Sequence, residues 1–86
     1  MNTEERSRLL AEKTKLEGEL SHIAIRSEQD PNYWETKPLD LDTDQADEGE
    51  TAFALQQFEQ NAAITKDLQA RLNEVDATLA RMNAGD

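Results

Sequence analysis

Cysteine is absent from this 86-residue chain, and it has only four aromatic side chains, two prolines and three glycines. Without cysteine these residues form neither a disulfide nor a thiolate zinc site, a composition compatible with a reducing compartment. Long apolar runs are missing too, and Met1 is followed by a polar, acidic stretch, so neither a membrane span nor a signal peptide is expected. Basic residues are scarce: nine face nineteen acidic ones, a formal net charge of −10. Nucleic acid and anionic membrane surfaces repel such a chain, because both are bound by neutralising negative charge with Lys and Arg. The expected location is the cytoplasm, with no direct DNA binding.

Large apolar side chains are also few. Hydrophobic residues make up 36% of the chain and eleven of them are alanine, which leaves one small unit and excludes a multidomain enzyme. What is abundant is Ala, Glu, Lys, Leu and Arg, together 41 of the 86 residues, the composition of long helices rather than sheets.

Residues 3–28 contain no proline and predict a first helix, with Thr3 as its cap and Glu4 and Glu5 at its positive end. Leu9, Leu16, Leu20 and Ile23 recur on one face, with Lys13 between the first two, as in a seam facing a partner helix. Pro31 must end this helix, since it pushes Asp30 out of helical geometry and lacks an N–H. A connector over 29–44 then leads to a second helix over 45–84, capped by Asp44 and followed by Gly85. Its seam is Phe58, Asn61, Thr65, Leu68, Leu72, Val75, Leu79 and Met82, with Asn61 read as a register-fixing polar residue. Two seams and a short connector predict an all-α fold: an antiparallel two-helix coiled-coil hairpin over 1–86, with a partly ordered acidic connector.

The arms are unequal, roughly 38 Å and 58 Å at 1.5 Å per residue, so the start of the second helix has no helical partner. Tyr33, Trp34, Leu39 and Leu41 are the connector residues expected to cover it, against Phe53 and Leu55.

Residues 40–50 hold six carboxylates, at 40, 42, 44, 47, 48 and 50, and no base. Asp40, Asp42 and Asp44 match the opening of a calcium loop, but Gln45 stands where that loop needs glycine and Thr51 where it needs glutamate. His22 is the single histidine and has no second nitrogen or sulfur ligand to form a metal site with. No serine or threonine is paired with a base and no glycine-rich phosphate loop occurs, so no enzyme is expected. The acidic run has a structural use, in capping and complementing the second helix's dipole. It has a functional one as well: carboxylates at the tip of a rigid rod can be delivered into a narrow positive or metal-containing cavity.

The order of elements resembles the coiled-coil part of the DksA/TraR family. The resemblance rests on a leucine-rich helix, the segment Pro31-Asn-Tyr-Trp-Glu, the acidic stretch ending Asp44-Gln-Ala-Asp-Glu, Asn61, and the run Leu72-Asn-Glu-Val-Asp-Ala-Thr-Leu-Ala-Arg-Met-Asn-Ala-Gly85. It implies a bacterial transcription regulator that binds RNA polymerase, passes the hairpin through the secondary channel and places acidic tip residues near the active site, often together with guanosine tetraphosphate. In that family the glycine leads into a Tyr-Gly-x-Cys-x-x-Cys zinc finger, which would begin at Asp86. Zinc is expected only with that finger, and the lack of cysteine then describes a family member seen without its zinc-binding end. The family's tip signature, Asp-x-x-Asp-x-Ala, is matched in its second half by Asp44-Gln-Ala46, with Leu41 in place of the first aspartate. The tip residues so implied are Asp40, Asp42, Asp44, Ala46 and Asp47. Two alternatives stand beside this one: a non-catalytic coiled-coil interaction module, and a Gre-like transcript-cleavage factor whose acidic tip would hold a catalytic metal. The expected state is a monomer or a weakly self-associating chain.

Overall fold

The computed structural model describes residues 3–39 and 47–85. Their order is α1 (Thr3–Ile23), β1 (Ala24–Arg26), β2 (Trp34–Thr36) and α2 (Glu48–Gly85). The two helices pack against each other as a largely all-α hairpin about 58 Å long.

Antiparallel register is set by two interhelical ion pairs, Arg71 Nε with Glu12 Oε1 at 2.7 Å and Lys13 Nζ with Asp76 Oδ1 at 2.9 Å. The core fills the seam: Leu16, Leu20 and Ala24 from one side, Leu72, Val75 and Leu79 from the other, with Leu9, Ile23, Trp34 and Leu68 at its margin. The predicted seams therefore meet. Leu20 has no exposed surface, and its truncation to alanine would cost about 2–5 kcal/mol. Lys13 is half-buried on the seam, its ammonium on Asp76. Both ion pairs are substantially exposed, so they orient the helices more than they stabilise them.

Helix α1 ends at Ile23, five residues before the expected boundary, and proline is not the cause. Lys37 closes the helix instead. Its amide N–H donates to the Ile23 carbonyl at 2.9 Å and its Nζ to the His22 carbonyl at 3.3 Å, which satisfies two of the terminal acceptors and sets a cation at the negative end of the dipole. The chain passes directly from helix to strand at Ala24. Thr3, expected as the cap, is the first helical residue.

Residues 24–28, expected as the end of the first helix, and 29–36, expected as connector, instead form a small antiparallel hairpin in which Ala24 pairs with Thr36, Ile25 with Glu35 and Arg26 with Trp34. Its turn is chemically specified. The Tyr33 amide donates to the Asp30 carbonyl at 2.9 Å across Pro31 and Asn32, and the Asn32 amide donates to Asp30 Oδ1 at 3.0 Å. Asp at the first position and Pro at the second are what a type I turn favours. Ser27, buried, accepts the Gln29 and Asp30 amides on its Oγ. Arg26 then ties the hairpin down: Nη1 donates to the Pro31 carbonyl at 2.7 Å, Nη2 meets Glu17 Oε2 at 2.7 Å, and the guanidinium lies 4.6 Å from the Trp34 ring centroid.

Helix α2 starts at Glu48, not at Gln45. Its cap is Asp47: Oδ1 accepts the Glu50 amide at 2.7 Å, the N-cap to N3 bond, and the Asp47 carbonyl accepts from the Thr51 amide at 3.0 Å. The predicted cap Asp44 lies outside the described residues.

Candidate partner-binding end of the hairpin

The register has a direct geometric consequence. With Glu12 and Lys13 opposite Arg71 and Asp76, the end of α1 at Ile23 falls near residue 63 of α2. About fifteen residues of α2 therefore run on past α1, an arm of about 22 Å. It begins with the Asp47 cap and carries Glu48, Glu50 and Glu59, with no basic residue from 47 to 65.

Of the predicted tip residues, Asp47 alone is among those described; Asp40, Asp42, Asp44 and Ala46 lie outside them. One carboxylate oxygen of Asp47 is engaged in capping. Asn61 is half-buried on the seam stripe, but it lies at the arm, where its carbonyl accepts from Thr65 Oγ1 at 2.7 Å.

The expected covering of the arm divides in two. Tyr33 and Trp34 do not reach it; the strand pair carries them back along the paired half, where Trp34 packs on the core and Tyr33 lines an open cleft of about 630 Å³ with Arg6, Lys13, Asn73 and Asp76. Leu39 does reach the arm and, with Pro38, forms one side of a groove of about 300 Å³ whose other side is Phe53, Ala54, Phe58 and Asn61. Leu41 lies outside the described residues. Phe53 is 67% exposed, the most of any large apolar side chain described, and Leu55 is 46% exposed.

Sequence reasoning missed Gln69. It is buried, and its amide is fully used: Oε1 accepts the Trp34 amide at 2.8 Å, while Nε2 donates to the Asn32 carbonyl at 3.2 Å and to Asn73 Oδ1 at 2.9 Å. The Gln69 amide thus pairs with the outer edge of β2 as a neighbouring strand would, and holds the hairpin against α2.

Among the described residues no group of three His, Cys, Asp or Glu side chains is placed to hold a metal ion, and His22 is exposed. The Arg71 guanidinium is held above its ordinary value, first by its hydrogen bond to Glu12 and then by the attraction of that carboxylate. None of the described helices is long and apolar enough to cross a membrane. No protein-family model, curated protein or solved structure matches the chain.

Proposed function

We propose that this chain is the coiled-coil part of a DksA/TraR-type transcription regulator, acting in the bacterial cytoplasm by binding RNA polymerase and carrying its acidic end into the secondary channel. The observation that supports this most is the unequal register. The Glu12–Arg71 and Lys13–Asp76 pairs leave about 22 Å of α2 projecting beyond α1. At its end stand Asp47, Glu48 and Glu50, adjoined in sequence by Asp40, Asp42 and Asp44. A thin acidic rod of this kind can reach a recessed cationic or metal-bearing centre that a globule cannot enter. The proposed contacts are Asp40, Asp42, Asp44, Ala46 and Asp47, with guanosine tetraphosphate as co-effector and zinc only where a finger follows Gly85.

The test is retention of RNA polymerase on the immobilised protein, challenged with another secondary-channel factor. Competition is expected, and Asp44→Asn combined with Ala46→Thr is expected to remove the effect on transcription initiation while leaving binding largely in place. Unchanged transcription by that double variant would sink the tip assignment, and retention indifferent to the competitor would sink the channel assignment.

A further inference from the structure

We infer that the open cleft on the paired half of the molecule binds an extended peptide segment of another protein, with its backbone held by asparagine side chains and one carboxylate held by Arg6. The cleft, of about 630 Å³, falls within the range of about 300–1,000 Å³ usual for binding sites. One wall is a stripe of α2: Asn73, Asp76, Ala80 and Asn83 follow at steps of three, four and three, which places them on one helix face. Helix α1 supplies Arg6 and Leu10, and the turn of the strand pair supplies Tyr33. Arg6 and Asn83 each lie seven residues from the Lys13–Asp76 pair, in opposite chain directions on antiparallel helices, so they share one end of the cleft.

The hydrogen-bonding groups of the lining select the occupant. Among the described residues, the Arg6 guanidinium, the Tyr33 hydroxyl and the Asn83 amide have no hydrogen-bond or ion-pair partner. Gln69 donates to Asn73 Oδ1 at 2.9 Å, which orients that side chain and leaves its Nδ2 protons for a carbonyl. The outer edge of β2 is already taken by Gln69, so a peptide cannot add there as a strand, and its backbone must be read by side-chain amides. Asn83 offers such a backbone both a donor and an acceptor. From Asn73 to Asn83 is about 15 Å along α2, the span of about four or five extended residues. Leu10, Leu79 and Ala80 give an apolar surface for one side chain. Of the two cations in the lining, Lys13 is held by Asp76, which leaves Arg6 as the partner of a single carboxylate. This site lies on the paired half and holds whether or not the acidic end enters a polymerase.

The probe is a five-residue peptide, blocked at both ends, with leucine at its centre, a glutamate at one end and serines elsewhere, titrated into the isotopically labelled full chain and followed by amide NMR shifts. Two matched peptides carry glutamine in place of the glutamate, or prolines on either side of the leucine. Saturable shifts are expected at Tyr33 and at the side-chain amides of Asn73 and Asn83, with affinity falling about tenfold on Arg6→Gln and by a similar factor for the glutamine peptide. Asn83→Leu and the proline peptide, which remove hydrogen bonds to the backbone, should each weaken binding severalfold. Arg6 and Asn83 are exposed, so circular dichroism should show unchanged helicity, and Lys66→Gln, outside the cleft, should bind as the parent does. The inference is overturned by an absence of shifts in the cleft, by equal binding of the glutamine or proline peptide, or by binding that ignores both Arg6→Gln and Asn83→Leu. Self-association in sedimentation that Asn83→Leu abolishes would also overturn it, because the cleft would then belong to a second copy.

Discussion

Gln69 Oε1 accepts the Trp34 amide proton across 2.8 Å, joining α2 to the edge of a strand thirty-five residues earlier in the chain. The same side chain donates to the Asn32 carbonyl, so one amide group satisfies a donor and an acceptor that the edge of β2 would otherwise leave open. This contact keeps residues 24–36 against the paired half of the molecule and away from the arm.

Replacing Gln69 by leucine keeps its bulk but strands the Trp34 amide and the Asn32 carbonyl. The loss of stability should be about 1–3 kcal/mol, the cost of unsatisfied buried polar groups. Urea denaturation followed by circular dichroism measures it, and hydrogen exchange at the Trp34 amide should accelerate more than exchange in the middle of α2. Equal acceleration everywhere would mean that Gln69 acts on global stability alone.

Trp34 separates packing from hydrogen bonding. Its ring lies under Arg26 and against the core, yet its Nε1 is buried with no hydrogen-bond partner among the described residues. Trp34→Phe retains an aromatic face and removes the stranded donor, so it should cost less than about 1.5 kcal/mol, whereas Trp34→Ala should cost about 3–5 kcal/mol. Thermal melts of the two variants decide the matter; equal losses would show that the indole N–H has a partner in solution.

How much of this was legible in the sequence follows from the same residues. The helices and their seams were, because Leu9, Leu16 and Leu20 on one side and Leu68, Leu72, Val75 and Leu79 on the other repeat often enough to fix a period. The β-hairpin was not, since strands of three residues have no readable alternation. Its signal lay in Asp30-Pro31-Asn32, read as a helix stop although the same three residues specify a type I turn. Gln69 carries no local mark at all, because its role depends on a strand edge distant in the chain. The cap was misplaced by three residues within a run of acids, where Asp47 has at the third following position the glutamate of a capping box, Glu50, and Asp44 has an aspartate there instead. The fold of the acidic residues 40–46 lies outside the description.

Asp47 combines a structural task with a proposed functional one, and the two respond differently to substitution. Asn caps as well as Asp does, so Asp47→Asn should leave helix content unchanged while removing one negative charge, and Asp47→Ala should lose about 1 kcal/mol of cap and fray the start of α2. Helicity by circular dichroism beside a transcription assay separates them. If Asp47→Asn keeps both helicity and the effect on transcription, Asp47 is a cap and nothing more.

Stability should show no alkaline loss from the Glu12–Arg71 pair near neutrality. The Arg71 pKa is raised on folding, so its contribution is fully present below the unfolded-state value and fades only as pH climbs through the raised folded-state value, far above the neutral range. The difference in melting temperature between the parent and Arg71→Gln should therefore stay constant from neutral to mildly alkaline pH. A difference that narrows over that interval would show that some other group governs the pair.

The projecting arm is most directly tested by placing a photocrosslinking amino acid at Glu48, the first and exposed residue of α2, and mapping its products on RNA polymerase. If the arm enters the enzyme, crosslinks should fall on residues lining the secondary channel and vanish when another secondary-channel factor is added, while the same group at Arg81, near the opposite end of α2, should leave the channel interior unlabelled. Crosslinks from Glu48 confined to the outer surface of the polymerase, or unaffected by the competitor, would contradict the proposal.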